Sequence, residues 1–308
     1  MSDLEFDGRS IVSIRDFTRP EVEHVVRMAL DVKAGQHAEA LAGQVLATLF
    51  FEPSTRTRLS FESAMVGMGG RVIGFSDPGE ASVKKGESIA DTIRTVTGYC
   101  HVIVMRHSVE GAARLAAEIS SVPVVNAGDG ANQHPTQTFL DLVTIQEEFK
   151  RLEGLRVGMV GDLKYGRTVH SLAYALSLFG AELTFISPPS LRMPQHLLRD
   201  LDEQHCEYHQ TEDFAEAGKA LDVLYVTRIQ KERFGDFQEY ERVAGSYRVG
   251  HRALEVLGPK TRILHPLPRV DEIAPTVDSD PRALYFRQAH NGVPTRQAVL
   301  GLVTGAIR

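Results

Sequence analysis

The sequence has only two cysteines, no long apolar run and no excess of basic residues. Cys100 and Cys206 lie far apart and form neither a disulfide framework nor a zinc cluster, so we expect a reducing, cytoplasmic environment. No segment approaches the roughly 20 apolar residues that span a bilayer, and the acidic residues 1–8 lack the apolar core of a signal peptide. The 34 Lys and Arg against 40 Asp and Glu exclude the global positive field of a nucleic-acid or anionic-membrane binder.

Two alternating series of strand-like and helix-like segments organise the 308 residues, a length typical of two domains. The first series has predicted strands at 44–51, 71–76, 101–106 and 123–127, and predicted helices at 60–68, 87–99, 111–120 and 135–149. The second has predicted strands at 155–161, 182–187, 206–209, 222–227 and 261–265, and predicted helices at 168–179, 189–203 and 295–307. Such alternation indicates parallel sheets covered by helices.

We therefore predict an α/β fold with two Rossmann-like domains, each a parallel sheet flanked by helices. The first domain is expected at residues 1–150 and the second at 151–290. The C-terminal helix, at about 290–308, is expected to pack back on the first domain.

Basic residues are concentrated where the predicted strands end. Ligands of open parallel sheets bind outside the carboxyl ends of the strands. Five of the seven loops at these ends contain Arg or Lys. The loops are residues 52–58, 82–86, 106–107, 128–137, 162–167, 228–231 and 266–268. Because the chain as a whole is acidic, this contrast predicts a small polyanionic substrate.

Residues 54–57, Ser-Thr-Arg-Thr, lie between a predicted buried strand and a predicted helix. A helix N-terminus exposes unpaired N–H groups and the positive end of the helix dipole. Three hydroxyls and Arg56 at such a position predict a phosphate-binding loop. The alternative is an ordinary Ser/Thr helix cap beside solvated arginines.

Residues 161–168, GDLKYGRT, nearly fit the nucleotide phosphate loop G-x-x-x-x-G-K-[ST]. Arg167 replaces the lysine, and no acidic residue ends the strand at 222–227 to hold magnesium. We interpret the segment as a place where Lys164 and Arg167 meet an anionic group, with a nucleotide-binding module as the alternative.

Other cofactor and catalytic motifs are missing from the sequence. It has no G-x-G-x-x-G dinucleotide fingerprint, no H-E-x-x-H or dense metal-binding cluster and no G-x-S-x-G nucleophile elbow. His134, in the segment NQHPTQ (132–137), fits a capping or core histidine as well as a functional one.

Five segments, in order along the chain, resemble the aspartate/ornithine carbamoyltransferase family. They are FEPSTRTRLSFE (51–62), KKGE (84–87), MRH (105–107), NQHPTQ (132–137) and HPLPR (265–269). The segments GDLKYGRTVH (161–170) and TRIQKER (227–233) are similar to the aspartate branch in particular. Pro266 stands where ornithine enzymes usually have a cysteine, which also favours that branch.

The resemblance implies transfer of a carbamoyl group from carbamoyl phosphate to L-aspartate, giving N-carbamoyl-L-aspartate and phosphate, the committed step of pyrimidine biosynthesis. It implies no cofactor and no metal, a carbamoyl-phosphate domain followed by an aspartate domain, and catalytic homotrimers. The alternatives are a carbamoyltransferase for another amine such as ornithine, a catalytically silent scaffold, and the nucleotide-binding module.

The resemblance also implies a role for individual residues. Those expected to hold carbamoyl phosphate are Ser54, Thr55, Arg56, Thr57, Ser82, Arg106, His134, Gln137, Pro266 and Leu267. Those expected to hold aspartate are Lys85, Arg167, Arg228 and Gln230. Arg56, Thr57, Lys85, Arg106 and His134 are expected to act in catalysis.

Two further implications concern closure and assembly. The family has an ion-pair set that joins its two domains in the closed state, and it is matched here by Glu52, Arg167 and Arg233. The groups that rearrange on closure are matched by Lys164, Tyr165 and Glu239. The alternative for these residues is simple surface ion pairing. Ser82 and Lys85 lie on a loop that enters the neighbouring subunit's site in this family. Residues 107–114 resemble the type of chain that binds separate regulatory chains, which would form a dodecamer.

Overall fold

The computed structural model describes residues 4–76, 86–229, 238, 241, 243 and 247–308. The chain divides into two compact units. The first unit comprises Met1–Val143 together with Asn291–Arg308, and the second comprises Thr144–His290.

The first unit contains a parallel sheet with the strand order β2-β1-β3-β4. Its strands are β1 (Val45–Phe50), β2 (Arg71–Phe75), β3 (Val102–His107) and β4 (Val124–Asp129). Its helices are α1 (Arg19–Lys33), α2 (Thr55–Gly67), α3 (Ile89–Val96), α4 (Ala112–Ile119), the start of α5 (Pro135–Phe149) and the C-terminal helix Gly292–Val303. The C-terminal helix packs against α1 and α2.

The second unit contains a parallel sheet with the strand order β7-β6-β5-β8-β9. Its strands are β5 (Arg156–Val160), β6 (Glu182–Ile186), β7 (Tyr208–Thr211), β8 (Val223–Val226) and β9 (Arg262–Leu264). Its helices include α6 (Arg167–Ser177), α7 (Gln195–Glu203), α8 (Phe214–Ala217), α9 (His251–Val256) and α10 (Tyr285–His290), and the C-terminal helix is therefore α11. The predicted fold of two parallel sheets flanked by helices is confirmed.

Several predicted elements differ from the observed ones in their bounds, and three of them are informative. The helix predicted at 60–68 begins at Thr55, because Ser54 is its N-cap and the hydroxyl residues form its first turn. The single helix predicted at 189–203 is wrong. A short 3-10 turn, Pro189–Leu191, precedes α7, and Pro194 keeps the residue before it out of the helical conformation. The edge strand predicted at 206–209 begins two residues later, at Tyr208.

Helix α1 is absent from the predicted elements, although its start has a recognisable signal. The Thr18 N–H donates to Glu21 Oε2 over 2.6 Å, and a proline stands in the first turn. This is a capping box with an N-terminal proline, and both are sequence features of a helix start. None of the helices in the described part of the chain combines the length and the apolar composition of a membrane span.

Replacing Gly161 by alanine should destabilise the second unit by about 2 kcal/mol or more, because the new methyl group has no space. Gly161 follows β5 with φ of 116°, and its added Cβ would lie 2.4 Å from the Thr227 carbonyl oxygen, at the end of the neighbouring strand β8. Urea denaturation of both proteins measures the difference. Gly180→Ala is the matched control, since Gly180 also has positive φ but its added Cβ meets nothing within 4 Å. A loss no larger than the control's would show that close approach is not what Gly161 provides.

Candidate active site

The N-terminus of α2, just after β1, has three hydroxyl residues and an arginine. Ser54 is the N-cap in an extended conformation, and Thr55 and Arg56 are the first helical residues. Thr57 is buried, whereas Thr55 and Arg56 are exposed. A helix start with this composition can bind a phosphate through backbone N–H groups, hydroxyls and a guanidinium.

Arg106 reaches the same sheet edge from the adjacent strand, where its Cα is in register with that of Phe50. Its Nη2 donates to Glu52 Oε1 over 3.2 Å, and its Nη1 donates to the Ala127 carbonyl over 3.3 Å. Only 11% of the Arg106 side chain is exposed. The guanidinium is therefore held between β1 and β4, with Glu52 as a charged partner inside the first unit.

His134 and Gln137 come from the segment between β4 and the first turn of α5. His134 immediately precedes the helix, and its carbonyl accepts the N–H groups of Gln137 and Thr138. Both side chains are buried, and Gln137 Nε2 donates to Asp141 Oδ1 over 2.8 Å. Because β1, β3 and β4 are consecutive neighbours, their carboxyl ends place these residues and the α2 N-terminus at one edge of the first sheet.

The second unit has an equivalent edge, formed by the neighbours β5, β8 and β9. Arg167 is the first residue of α6, after the loop that contains Lys164 and Tyr165. The Lys164 ammonium lies 4.9 Å from the centroid of the Tyr165 ring. Half-buried Arg228 follows β8, and half-buried Pro266 and Leu267 follow β9. Two guanidiniums at one sheet edge match a dicarboxylate, since each can bind a carboxylate bidentately.

A buried pair, His265 and Glu272, fixes the backbone after β9 and was missed by the sequence reasoning. His265 Nε2 lies 2.7 Å from Glu272 Oε1, and the Leu267 N–H donates to His265 Nδ1 over 2.8 Å. Since Nδ1 accepts, Nε2 carries the proton and donates a hydrogen bond to Glu272 Oε1. Burial lowers the pKa of His265, although Glu272 acts in the opposite direction. A histidine ending a predicted buried strand was the available signal.

Five predicted site residues lie outside the described residues, and their roles stay predictions. They are Ser82, Lys85, Gln230, Arg233 and Glu239.

The described residues contain two free thiols and no cluster of His, Cys, Asp and Glu able to hold a metal ion. Burial raises the pKa of both Cys100 and Cys206 to about 11. Neither thiol is a nucleophile at neutral pH, because the thiolate is the reactive form.

Known proteins are similar to this chain over nearly its whole length. Residues 9–147 match the carbamoyl-P binding domain of the aspartate/ornithine carbamoyltransferases, and residues 153–303 match their Asp/Orn binding domain. The chain is 57% identical to the aspartate carbamoyltransferase catalytic subunit of Thermococcus onnurineus over 99% of both sequences. It is also 57% identical to that of Methanopyrus kandleri, over 97% of this chain and 98% of the relative.

Solved structures give the same result. The catalytic subunit of M. jannaschii aspartate transcarbamoylase superposes with a TM-score of 0.87 at 50% identity, covering 95% of this chain and 96% of that one. The Trypanosoma cruzi enzyme, solved with carbamoyl phosphate and aspartate, superposes with a TM-score of 0.91 at 38% identity over 97% of each chain.

Proposed function

The chain belongs to the aspartate/ornithine carbamoyltransferase family, and we propose that it transfers the carbamoyl group of carbamoyl phosphate to the amine of L-aspartate. The products are N-carbamoyl-L-aspartate and phosphate, and the reaction is a step of pyrimidine biosynthesis. Two observations, one in each unit, carry this proposal: a helix start with hydroxyl groups and a guanidinium in the first unit, and two guanidiniums at the sheet edge of the second. The 51–57% identity to aspartate carbamoyltransferase catalytic subunits supports aspartate as the acceptor.

The first unit would bind carbamoyl phosphate and stabilise the charge that develops on it. Ser54, Thr55, Arg56 and Thr57 would hold the phosphate, and Arg106 would bridge the phosphate and the carbonyl oxygen. His134 and Thr57 would donate to the oxyanion of the tetrahedral intermediate. Preorganised donors of this kind supply most of the catalysis when the leaving group is already good, as phosphate is.

Gln137 would accept a hydrogen bond from the carbamoyl NH2 group. Its Nε2 donates to the carboxylate of Asp141, which fixes the orientation of the amide, so Oε1 is the atom that would accept from the substrate. The backbone carbonyls of Pro266 and Leu267 are proposed as further acceptors for the same NH2 group.

The second unit would bind L-aspartate. Arg167 and Arg228 are proposed to bind its two carboxylates, assisted by Gln230 and by Lys85 of a neighbouring subunit. The amine then attacks the carbamoyl carbon, and the tetrahedral intermediate expels phosphate. No covalent enzyme intermediate is required, since the amine displaces phosphate directly.

We further propose that the chain acts as a cytoplasmic homotrimer with shared sites, in which Ser82 and Lys85 serve the neighbour. Exposed apolar side chains on α2 and β2 support an interface there; Leu59, Val66 and Ile73 are 57%, 61% and 41% exposed. Binding of a separate regulatory chain at residues 107–114 is also proposed, and the 58% exposure of Val109 supports it.

Domain closure is proposed to involve Glu52, Lys164, Tyr165, Arg233 and Glu239.

The Arg228→Ala variant should raise the aspartate KM by about 10²-fold and leave carbamoyl phosphate binding within about twofold. Losing a bidentate charged contact costs about 3 kcal/mol, and each 1.4 kcal/mol is a factor of ten. Steady-state kinetics and calorimetric titration with carbamoyl phosphate measure the two effects. L-ornithine should be a very poor acceptor for the wild-type enzyme.

The control for this variant is Arg192→Ala, which removes an arginine that is 51% exposed on the same unit and paired with Glu212. Its kinetic constants should match those of the wild type. An equal loss of affinity for both substrates in Arg228→Ala would contradict the assignment of aspartate to the second unit.

A further inference from the structure

Asp129, the last residue of β4, is a buried carboxylate surrounded by uncharged donors. Its side chain is 1% exposed. Oδ1 accepts from Asn126 Nδ2 over 2.8 Å and from the Gln133 N–H over 3.1 Å. Oδ2 accepts from the Gly111 N–H over 2.9 Å and from Asn132 Nδ2 over 3.0 Å. Each oxygen therefore accepts two hydrogen bonds, which satisfies all the acceptor positions of a carboxylate.

Two of these donors belong to the turn that immediately precedes His134. Within this turn, the Asn132 N–H donates to the Asp129 carbonyl over 3.0 Å, and the Asp129 N–H donates to the Gln133 carbonyl over 3.3 Å. Gln133 Oε1 accepts the Ile14 N–H over 3.3 Å from outside the turn. The backbone that leads into His134 is thus held by hydrogen bonds centred on Asp129.

The third donor connects the same carboxylate to the segment before α4. Gly111, whose N–H binds Oδ2, is the N-cap of α4. Two more bonds hold this segment to the turn: the Gly130 N–H donates to the His107 carbonyl over 3.0 Å, and the Ala131 N–H donates to Glu110 Oε1 over 3.2 Å. Asp129 and the two residues after it therefore bind the turn to β3 and to the segment before α4, in addition to the bonds inside the turn.

We infer that Asp129 is a positioning residue for His134, which keeps the imidazole where it can donate to the carbamoyl oxygen; this rests on the proposed function. The role requires a carboxylate. An amide offers one accepting oxygen and one NH2 group, so it would lose two of the four bonds and direct its N–H groups against backbone or side-chain donors. An oxyanion donor acts only at the correct distance, and a displacement of about 1 Å can cost about 10² in rate.

The first test is the kcat of Asp129→Asn. We expect kcat to fall by about 10- to 100-fold, while the KM for carbamoyl phosphate changes by less than about threefold. Asp280→Asn is the matched control. Asp280 is 14% exposed and bound to Arg282 in the second unit, so its loss removes a similar hydrogen-bonded carboxylate away from the turn. That variant should keep the wild-type kcat, and a wild-type kcat in folded Asp129→Asn would overturn the inference.

A double-mutant cycle separates positioning of His134 from general damage. If Asp129 acts through His134, adding Asp129→Asn to His134→Ala should lower kcat by less than about twofold further. Full additivity of the two losses would show that Asp129 acts on something else.

A third measurement does not depend on turnover. In protein labelled with ¹³C-histidine, the imidazole signal of His134 is the one of 12 that disappears in His134→Ala. This signal should shift in Asp129→Asn and no longer respond to carbamoyl phosphate as the wild-type signal does. If the wild type lacks carbamoyl transfer activity, the proposed function fails, but the His134 signal still reports on the position of the imidazole. An unchanged His134 signal in Asp129→Asn overturns the inference.

Should Asp129→Asn not fold, Asn132→Ala replaces it in all three measurements. Asn132 is exposed, so this change removes one donor to Oδ2 without emptying the core. We then expect a kcat loss of about two- to fivefold, since one uncharged donor to Asp129 is lost and the other three remain. No loss of kcat and no shift of the His134 signal would contradict the inference.

Discussion

The His134→Ala enzyme should have a kcat about 10²–10³ lower than the wild type, which is the usual loss when one oxyanion donor is removed. The KM values of both substrates should change by less than about fivefold, because the bond to the oxyanion strengthens as charge develops. The carbonyl of His134, not its side chain, accepts the N–H groups of Gln137 and Thr138 at the start of α5. Removing the imidazole therefore leaves the start of the helix bonded.

A purely structural histidine would behave differently. His24 is a suitable comparison, since it is 9% exposed, lies in α1 and stacks on Phe6 with 5.5 Å between ring centroids. His24→Ala should lower the melting temperature and leave kcat unchanged. If His134→Ala shows the same pattern, with lost stability and near wild-type kcat, then His134 is a core residue and not an oxyanion donor.

The fold could be predicted because its strands are short apolar runs between helical segments. The segments at 45–50 and 223–226 have buried side chains along almost their whole length, and such runs are typical of parallel sheets. Helix α5 was predicted at its observed bounds, because Pro135 marks its first turn and a long periodic pattern follows. Boundaries failed where capping chemistry decided them, as at Thr55 and Pro194.

The candidate site could be predicted from its residue types but not from its contacts. Basic loops at strand ends place Arg106 and Arg167 at the sheet edges, as the parallel topology requires. The Arg106–Glu52 pair, the four donors of Asp129 and the His265–Glu272 pair depend on which loops meet in three dimensions. A single sequence does not show which distant loops meet, so it could point to a residue such as His265 but not to its partner Glu272.

Mixing two inactive variants should restore activity if each site is shared between neighbouring subunits of a homotrimer. Arg56, exposed in the first turn of α2, is proposed to serve its own subunit's site, and Lys85 the neighbour's. Trimers of Arg56→Ala and trimers of Lys85→Ala should each be nearly inactive. After dissociation, equal mixing and reassociation, an intact site needs a Lys85→Ala chain beside an Arg56→Ala chain in the correct order.

In a cyclic trimer assembled at random, that order has a probability of about one half times one half, so activity should recover to about 25% of the wild type. The matched control mixes Arg56→Ala with His134→Ala. Both of those residues are proposed to come from the same subunit, so no mixed trimer contains an intact site and no recovery should follow. Recovery in the first mixture alone identifies Lys85 as the residue supplied by the neighbour. If hybrid trimers form on native electrophoresis and neither mixture recovers, each subunit holds a complete site and the shared-site proposal is wrong.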